Sequence, residues 1–180
     1  MGTWEPVAEQ LLEERGARLV AYAAMLVQRD GDAEDLVQDA VVKCFSRRRP
    51  VATVGEAEAY ARRAMQTIVI DRARARGVRR RAADRAFARA PGAPDVDAGL
   101  DVRRALRALT PREQVCIVMR YFDDLPVAEI AERLDLADGT VKRYISNATN
   151  RLAPLLAGTV GWDSPPERVE VVATRKGRQS

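Results

Sequence analysis

The chain has no histidine, so imidazole acid–base catalysis and histidine metal ligation are excluded. Its two cysteines, Cys44 and Cys116, lie far apart within apolar helical patterns, and a CxxC pair is absent. That spacing argues against a zinc site and for small buried hydrophobes, with a redox role or disulfide as the lesser reading. No cofactor or metal is expected. No apolar run approaches membrane-spanning length. The opening residues, MGTWEPVAEQ, lack the basic-then-apolar layout of a signal peptide. A cytoplasmic location without membrane insertion is expected. Alternating β-branched runs are scarce as well, and only Val169 to Thr174 reads as strand-like. Neither a glycine-rich phosphate loop nor an internal repeat is present. The fold class expected is all-α. At 180 residues and 47% hydrophobic, the chain can form one ordinary domain or two small ones, with a basic net charge of +4.

What the chain does contain is a stretch from Leu125 to Leu152, LPVAEIAERLDLADGTVKRYISNATNRL, patterned as two short helices and a turn. Val127, Ile130, Ala131 and Leu134 recur at helical spacing, and Leu136-Ala137-Asp138-Gly139 interrupts the pattern. A second helix is expected from about Thr140, with Val141, Ile145, Ala148 and Leu152 on one stripe. Its other face holds Thr140, Lys142, Arg143, Ser146, Asn147 and Asn150, side chains able to meet phosphates and base edges. An αα-hairpin in an ordinary bundle has the same periodicity. A DNA-binding helix-turn-helix has it too and places the second helix in the major groove. Small Ala131 suits a close helix crossing.

Upstream, residues about 5 to 28 predict a first helix on Leu12, Leu19, Tyr22 or Ala23, and Leu26. After a turn at Arg29-Asp30-Gly31, Asp32 can cap a second helix running to about Ser46. Glu34, Asp35, Gln38 and Asp39 give that helix an acidic face, either a solvated surface or a docking site for a basic protein. Pro50 closes this segment, and a third helix is expected from about Glu56. From Arg72 its character changes. Arg72, Arg74, Arg76, Arg79, Arg80, Arg81, Arg85 and Arg89 accompany a single acid, Asp84. A cluster so one-signed repels itself unless a polyanion neutralises it, and a phosphate backbone does that. Residues 90–100, APGAPDVDAGL in the main, read as a linker. Helix resumes at about Asp101, and Thr110-Pro111-Arg112-Glu113 is a capping-box start. Asp123-Asp124 ends that helix. The organisation expected is a domain over 5–89, a linker over 90–100, a second domain over 101–156 and a loose tail over 157–180.

Taken in order, these features resemble the extracytoplasmic-function (ECF) sigma factors, the small two-domain branch of the bacterial sigma-70 family. The resemblance rests on Asp32-Ala33-Glu34-Asp35-Leu36-Val37-Gln38-Asp39, on Tyr60 through Arg74 with Ile70-Asp71-Arg72, and on Leu109 to Glu113 followed by Leu125 to Leu134 and Gly139 to Lys142. It covers about residues 7 to 156. It implies that Glu34, Asp35, Leu36, Gln38 and Asp39 bind the clamp of core RNA polymerase. It implies that Tyr60, Arg63, Thr67, Asp71, Arg72, Arg74 and Arg76 meet the minus-ten element of promoter DNA, where a non-template base is flipped out. Thr140, Lys142, Arg143, Tyr144, Ser146, Asn147 and Asn150 would read the minus-thirty-five element, with the second domain also touching the polymerase flap. Members of that family are commonly held by an anti-sigma factor, a partner that no residue here identifies.

The chain departs from the family pattern in places. Thr67 stands where most relatives have asparagine, Ala137 where serine usually caps the recognition helix, and Asn147 where arginine is common. Asp138 is expected to cap instead, and an atypical minus-thirty-five sequence is expected. A helix-turn-helix activator or repressor on duplex DNA is the competing reading, although it has no need of the acidic helix. A recombinase-type enzyme would need a nucleophile and a larger catalytic domain.

Overall fold

The computed structural model describes residues 5–29, 31–46, 51–82 and 98–157. Within them the chain forms seven helices and no strand: α1 (Glu5–Ala24), α2 (Asp32–Ser46), α3 (Val54–Ala82), α4 (Ala98–Leu106), α5 (Pro111–Tyr121), α6 (Val127–Leu134) and α7 (Asp138–Leu156). The strand-like Val169 to Thr174, the expected tail beyond Ala157, and Arg85 and Arg89 lie outside the described residues, as does most of the expected linker.

Helices α1, α2 and α3 pack against one another. Leu11, Leu19 and Tyr22 of α1, Leu36, Ala40 and Cys44 of α2, and Ala57, Ala61 and Met65 of α3 are all buried. Ala57, Ala61 and Ala64, one turn apart along α3, leave only methyl groups on that side of the helix, which suits close packing of its neighbours. Helix α2 carries Asp32, Glu34 and Asp35 in its first turn and Lys43 in its last, each placed favourably against the helix dipole. Helix α1 stops at Ala24, short of the expected extent, because Met25 and Leu26 close a tighter turn onto the Tyr22 and Ala23 carbonyls. Helix α3 begins earlier than expected. Glu56 N–H donates to Thr53 Oγ1 at 3.2 Å, and Ala52 N–H donates to the Glu56 carboxylate at 3.0 Å. Thr53 to Glu56 is thus a cap signature of the same type as Thr110 to Glu113.

In the second half α5 packs on α7, flanked by α4 and α6. The Thr110 cap forms as expected, and Glu113, 3% exposed, serves more than the cap. Its Oε2 accepts from Thr110 N–H (2.9 Å), from Thr110 Oγ1 (2.8 Å) and from Arg151 Nη1 of α7 (3.0 Å). A carboxylate so enclosed requires these donors. The α6–α7 turn differs from the expected one. Asp135 takes a left-handed conformation at φ 52°, and Leu136 N–H donates back to the Ala131 carbonyl at 2.9 Å, ending α6 in a Schellman-type turn. Helix α7 then begins at Asp138 with Ala137 as its N-cap and no side-chain cap bond. Asp138 is the first helical residue rather than the cap, and Gly139 lies within the helix.

Both cysteines are buried thiols. Burial pushes the Cys44 thiol up to about 11 and the Cys116 thiol up to about 12, helped at Cys116 by nearby Glu113. Both therefore remain protonated and unreactive at neutral pH. Helix α3 also packs on α5, so the two halves meet.

Candidate nucleic-acid interface

Helix α7 presents Lys142, Arg143, Ser146, Asn147 and Asn150 to solvent, with Thr140 half-buried at the N-terminal edge of that face. The opposite stripe, Val141, Ala148 and Leu152, is buried and fixes the rotation of the helix. Ala131 and Ile130 of α6 are buried at the crossing, which lets α6 and α7 pack closely. Tyr144 is set apart from the exposed group. It is half-buried, its hydroxyl accepts from Arg112 Nη1 of α5 at 3.1 Å, and the Arg143 guanidinium lies 5.8 Å from its ring centre. It braces the exposed polar face of α7 against α5.

On α3 the exposed residues Arg63, Thr67, Asp71 and Arg74 follow one another at spacings of four, four and three, with half-buried Tyr60 three residues before them. They form one continuous strip along the helix. Thr67 Oγ1 donates to the Arg63 carbonyl at 2.9 Å, and Arg74 Nη1 lies 3.6 Å from the Asp71 carboxylate. Arg76 Nε reaches the Arg72 carbonyl at 3.3 Å. Arg72 leans off the strip and pairs with Asp39 of α2. The side chains of Arg79, Arg80 and Arg81 lie outside the described residues.

On α2, Glu34, Asp35, Gln38 and Asp39 are exposed and form one acidic face. Leu36 does not belong with them: it is 0% exposed and points into the α1–α2–α3 core. The helical period carries positions 36, 37 and 40 to the face opposite 34, 35, 38 and 39. Leu36 holds the acidic face in place and takes no part in it.

Family models match in the order of these surfaces. "Sigma-70 region 2" matches residues 11–79, which holds the acidic face of α2 and the strip of α3. "Sigma-70, region 4" matches residues 99–152, which holds α5 through most of α7. The chain belongs to the sigma-70 family. It is 29% identical over 155 residues to the RNA polymerase sigma-E factor of Streptomyces avermitilis, covering 80% of this chain and 82% of that one. It is 28% identical over 149 residues to the ECF RNA polymerase sigma factor SigL of Mycobacterium tuberculosis, covering 79% and 84%. The fold is that of a chain in the co-crystal structure of the sigma factor RpoE with the anti-sigma factor NepR from Bartonella quintana. The TM-score is 0.57 at 24% identity, over 83% of this chain and 96% of that one. No helix among the described residues of this sigma-70 chain is long and apolar enough to cross a membrane. No group of histidine, cysteine or acidic residues among them could hold a metal.

Sequence reasoning missed a group of polar residues where region 2 meets region 4: Tyr22, Arg62, Gln66 and Asp123, with Gln28 and Gln114 beside them. Gln66 is 2% exposed and Gln114 0%. A signal existed. Gln66 and Gln114 each fall one turn before apolar residues that are buried, Val69 and Ile70 on α3 and Ile117 and Val118 on α5, on a face where a polar side chain needs a partner.

Proposed function

We propose that this chain is an RNA polymerase sigma factor of the ECF type, which brings core polymerase to chosen promoters and assists strand opening. The observation that carries this reading is the succession, in one chain, of an acidic α2 face, an exposed α3 strip and an exposed polar face on α7, matched in that order by sigma-70 regions 2 and 4.

The residues suit the work. Glu34, Asp35, Gln38 and Asp39 offer a rigid acidic face for a basic surface of core polymerase. Tyr60, Arg63, Thr67, Asp71 and Arg74 offer an aromatic edge, hydrogen-bonding groups and guanidinium groups along one line. Phosphate contacts hold a strand there while one base is extruded, a step costing a few kcal/mol of unstacking. Lys142, Arg143, Ser146, Asn147, Asn150 and Thr140 stand where a recognition helix meets base edges and phosphates. No bond is made or broken by the chain in this role. It works in the cytoplasm beside polymerase and DNA, with an anti-sigma factor as a candidate regulator. Two binding units, over 5–89 and 101–156, joined by the 90–100 segment, would engage the minus-ten and minus-thirty-five elements together and gain affinity through effective concentration.

The test is reconstitution with core RNA polymerase and promoter-containing DNA, read as specific run-off transcripts. Transcripts that depend on this chain are expected. Failure to bind core polymerase at all would refute the reading.

A further inference from the structure

Between α1, α3 and α6 opens a cleft of about 390 Å³, within the roughly 300–1,000 Å³ of small-ligand pockets. Its lining includes Arg18 of α1, Glu58, Arg62 and Arg63 of α3, Asp123 beyond α5, and Arg133 of α6. Packing behind the lining fixes the walls. The rings of Tyr22 and Phe122 have their centres 5.6 Å apart, and the Arg62 guanidinium sits 5.1 and 5.8 Å from those centres. The buried apolar core runs through both halves. The cleft is therefore built into the fold.

Its charges do not balance. Arg62 Nη2 donates to Glu58 Oε1 at 2.7 Å, while Arg15 Nε and Arg18 Nη2 lie 3.8 and 3.9 Å from the same carboxylate, beyond hydrogen-bond reach. Arg62 Nη1 lies 3.6 Å from Asp123 Oδ1, and Asp123 Oδ2 already accepts from Tyr22 and Gln66. The Nε atoms of Arg15 and Arg62 are buried without a hydrogen-bond partner. Arg133 pairs with Glu129. Counting Arg15 and Glu129 just outside the lining, five guanidinium groups meet three carboxylates. Two positive charges are left over in a concave site, where they attract an anion. A phosphate monoester carries close to two negative charges at neutral pH, and its oxygens match the guanidinium fork. Gly55 also lines the cleft, in the first turn of α3, where helix amides lack intrahelical acceptors and favour an anion. A Cβ added at Gly55 would meet nothing within 4 Å, so the space there is open.

We propose that this cleft binds a small phosphorylated molecule, a phosphate monoester or short phosphoanhydride, with Arg18, Arg62 and Arg133 holding its phosphate oxygens. The ligand bridges α1 and α3 of one half to α6 of the other. The proposal goes beyond the sigma-factor reading and rests on the cleft alone.

The test is calorimetric titration of the full chain with pyrophosphate and with ADP, both free of magnesium, and with adenosine as the uncharged control. Saturable one-to-one binding of pyrophosphate and ADP is expected, and none of adenosine. Arg18→Gln and Arg133→Gln, on helices of the two halves, should each weaken binding about tenfold, the scale of one charge-assisted hydrogen bond. Gly55→Glu should abolish binding by placing a rival carboxylate in the cleft. The fold tolerates that change, because glutamate suits the first turn of a helix and the space is open. Gly31→Glu makes the same charge change at an equally open position in the turn before α2, and should leave binding intact. Absence of saturable binding would overturn the proposal. Equal losses in Gly55→Glu and Gly31→Glu would also overturn it, by showing attraction to net charge alone. A single-stranded oligonucleotide that displaces pyrophosphate, and loses affinity to the same degree in Arg18→Gln and Arg133→Gln, would assign the cleft to nucleic acid and overturn it as well.

Discussion

Arg72 of α3 reaches across to pair with Asp39 of α2, so the helix bearing the proposed DNA strip is tied to the helix bearing the acidic face. The residues belong to different proposed surfaces, and each neutralises part of the other's charge. Both are partly exposed, at 39% and 56%, so the pair adds at most about 1 kcal/mol to stability. Asp39→Ala and Arg72→Ala should each leave the melting temperature nearly unchanged. Their functional effects should separate: Asp39→Ala weakens binding to core polymerase, while Arg72→Ala weakens binding to promoter DNA and spares core binding. Pull-down on core polymerase and DNA titration of the two single variants check this. Equal losses in both assays would show that the pair acts as one unit.

Glu113 joins the start of α5 to α7 through Thr110 and Arg151, and its removal should be felt across region 4. Thr110→Ala removes one cap and should cost about 1 kcal/mol. Glu113→Ala strips three donors of a buried acceptor and should cost about 2 kcal/mol or more. Arg151→Ala should cost less than either, because Arg151 is 52% exposed. Urea denaturation of the three variants gives the ranking. A Glu113→Ala loss no larger than that of Thr110→Ala would show that the carboxylate acts only as a cap.

The contrast between these features marks what local pattern can reveal. Thr110 to Glu113 was legible because a capping box closes within four residues, and the α6–α7 pair was legible because its apolar stripes repeat at the helical period. The acidic face of α2 was legible for the same reason, whereas the family resemblance adds Leu36 to it, a residue that helix geometry turns inward. The sequence pattern puts the turn over Leu136 to Gly139, whereas the left-handed residue is Asp135, one position earlier, and Gly139 is helical. The junction was hidden for a different reason. Tyr22 and Asp123 are 101 residues apart, and no periodicity within one helix specifies a partner on another. Tyr22 reads as an ordinary core residue and Asp123 as a helix stop until the fold brings them together.

Burial raises the pKa of Asp123 above its ordinary 3.8, although Tyr22, Arg62, Arg133 and Gln66 all act to lower it. A group whose pKa is higher docked than free binds its proton more tightly in the docked form. Its contribution to docking is then full below 3.8 and is lost as pH rises through the raised value. Acidification should therefore tighten the junction, and a rise toward neutral pH should loosen it. The groups facing the carboxylate are the Tyr22 hydroxyl of α1, Arg62 and Gln66 of α3, and Arg133 of α6, with Glu58 beyond Arg62. Of these, Tyr22 is itself shifted upward by burial and stays protonated throughout. Energy transfer between dyes on the two halves, followed from neutral to mildly acid pH, should rise as pH falls. Asp123→Asn should flatten the profile, and a profile that keeps its slope in that variant would assign the titration to another group.

Asn147 and Tyr144 lie three residues apart on α7 but should differ in kind. Asn147 is exposed on the proposed reading face, where asparagine suits adenine and arginine suits guanine. Tyr144 is half-buried and held by Arg112. Asn147→Arg should therefore redirect promoter choice at one position of the minus-thirty-five element, by about 1–3 kcal/mol or roughly 10- to 100-fold, without loss of stability. Tyr144→Phe removes only the hydroxyl that accepts from Arg112. It should lower affinity uniformly across sequences by loosening the bracing of the helix, and leave the preferred sequence unchanged. Selection from a randomised promoter pool with each variant, in complex with core polymerase, distinguishes the two roles. A preferred sequence unaltered by Asn147→Arg would remove Asn147 from the reading face, and one altered by Tyr144→Phe would place the tyrosine hydroxyl on it.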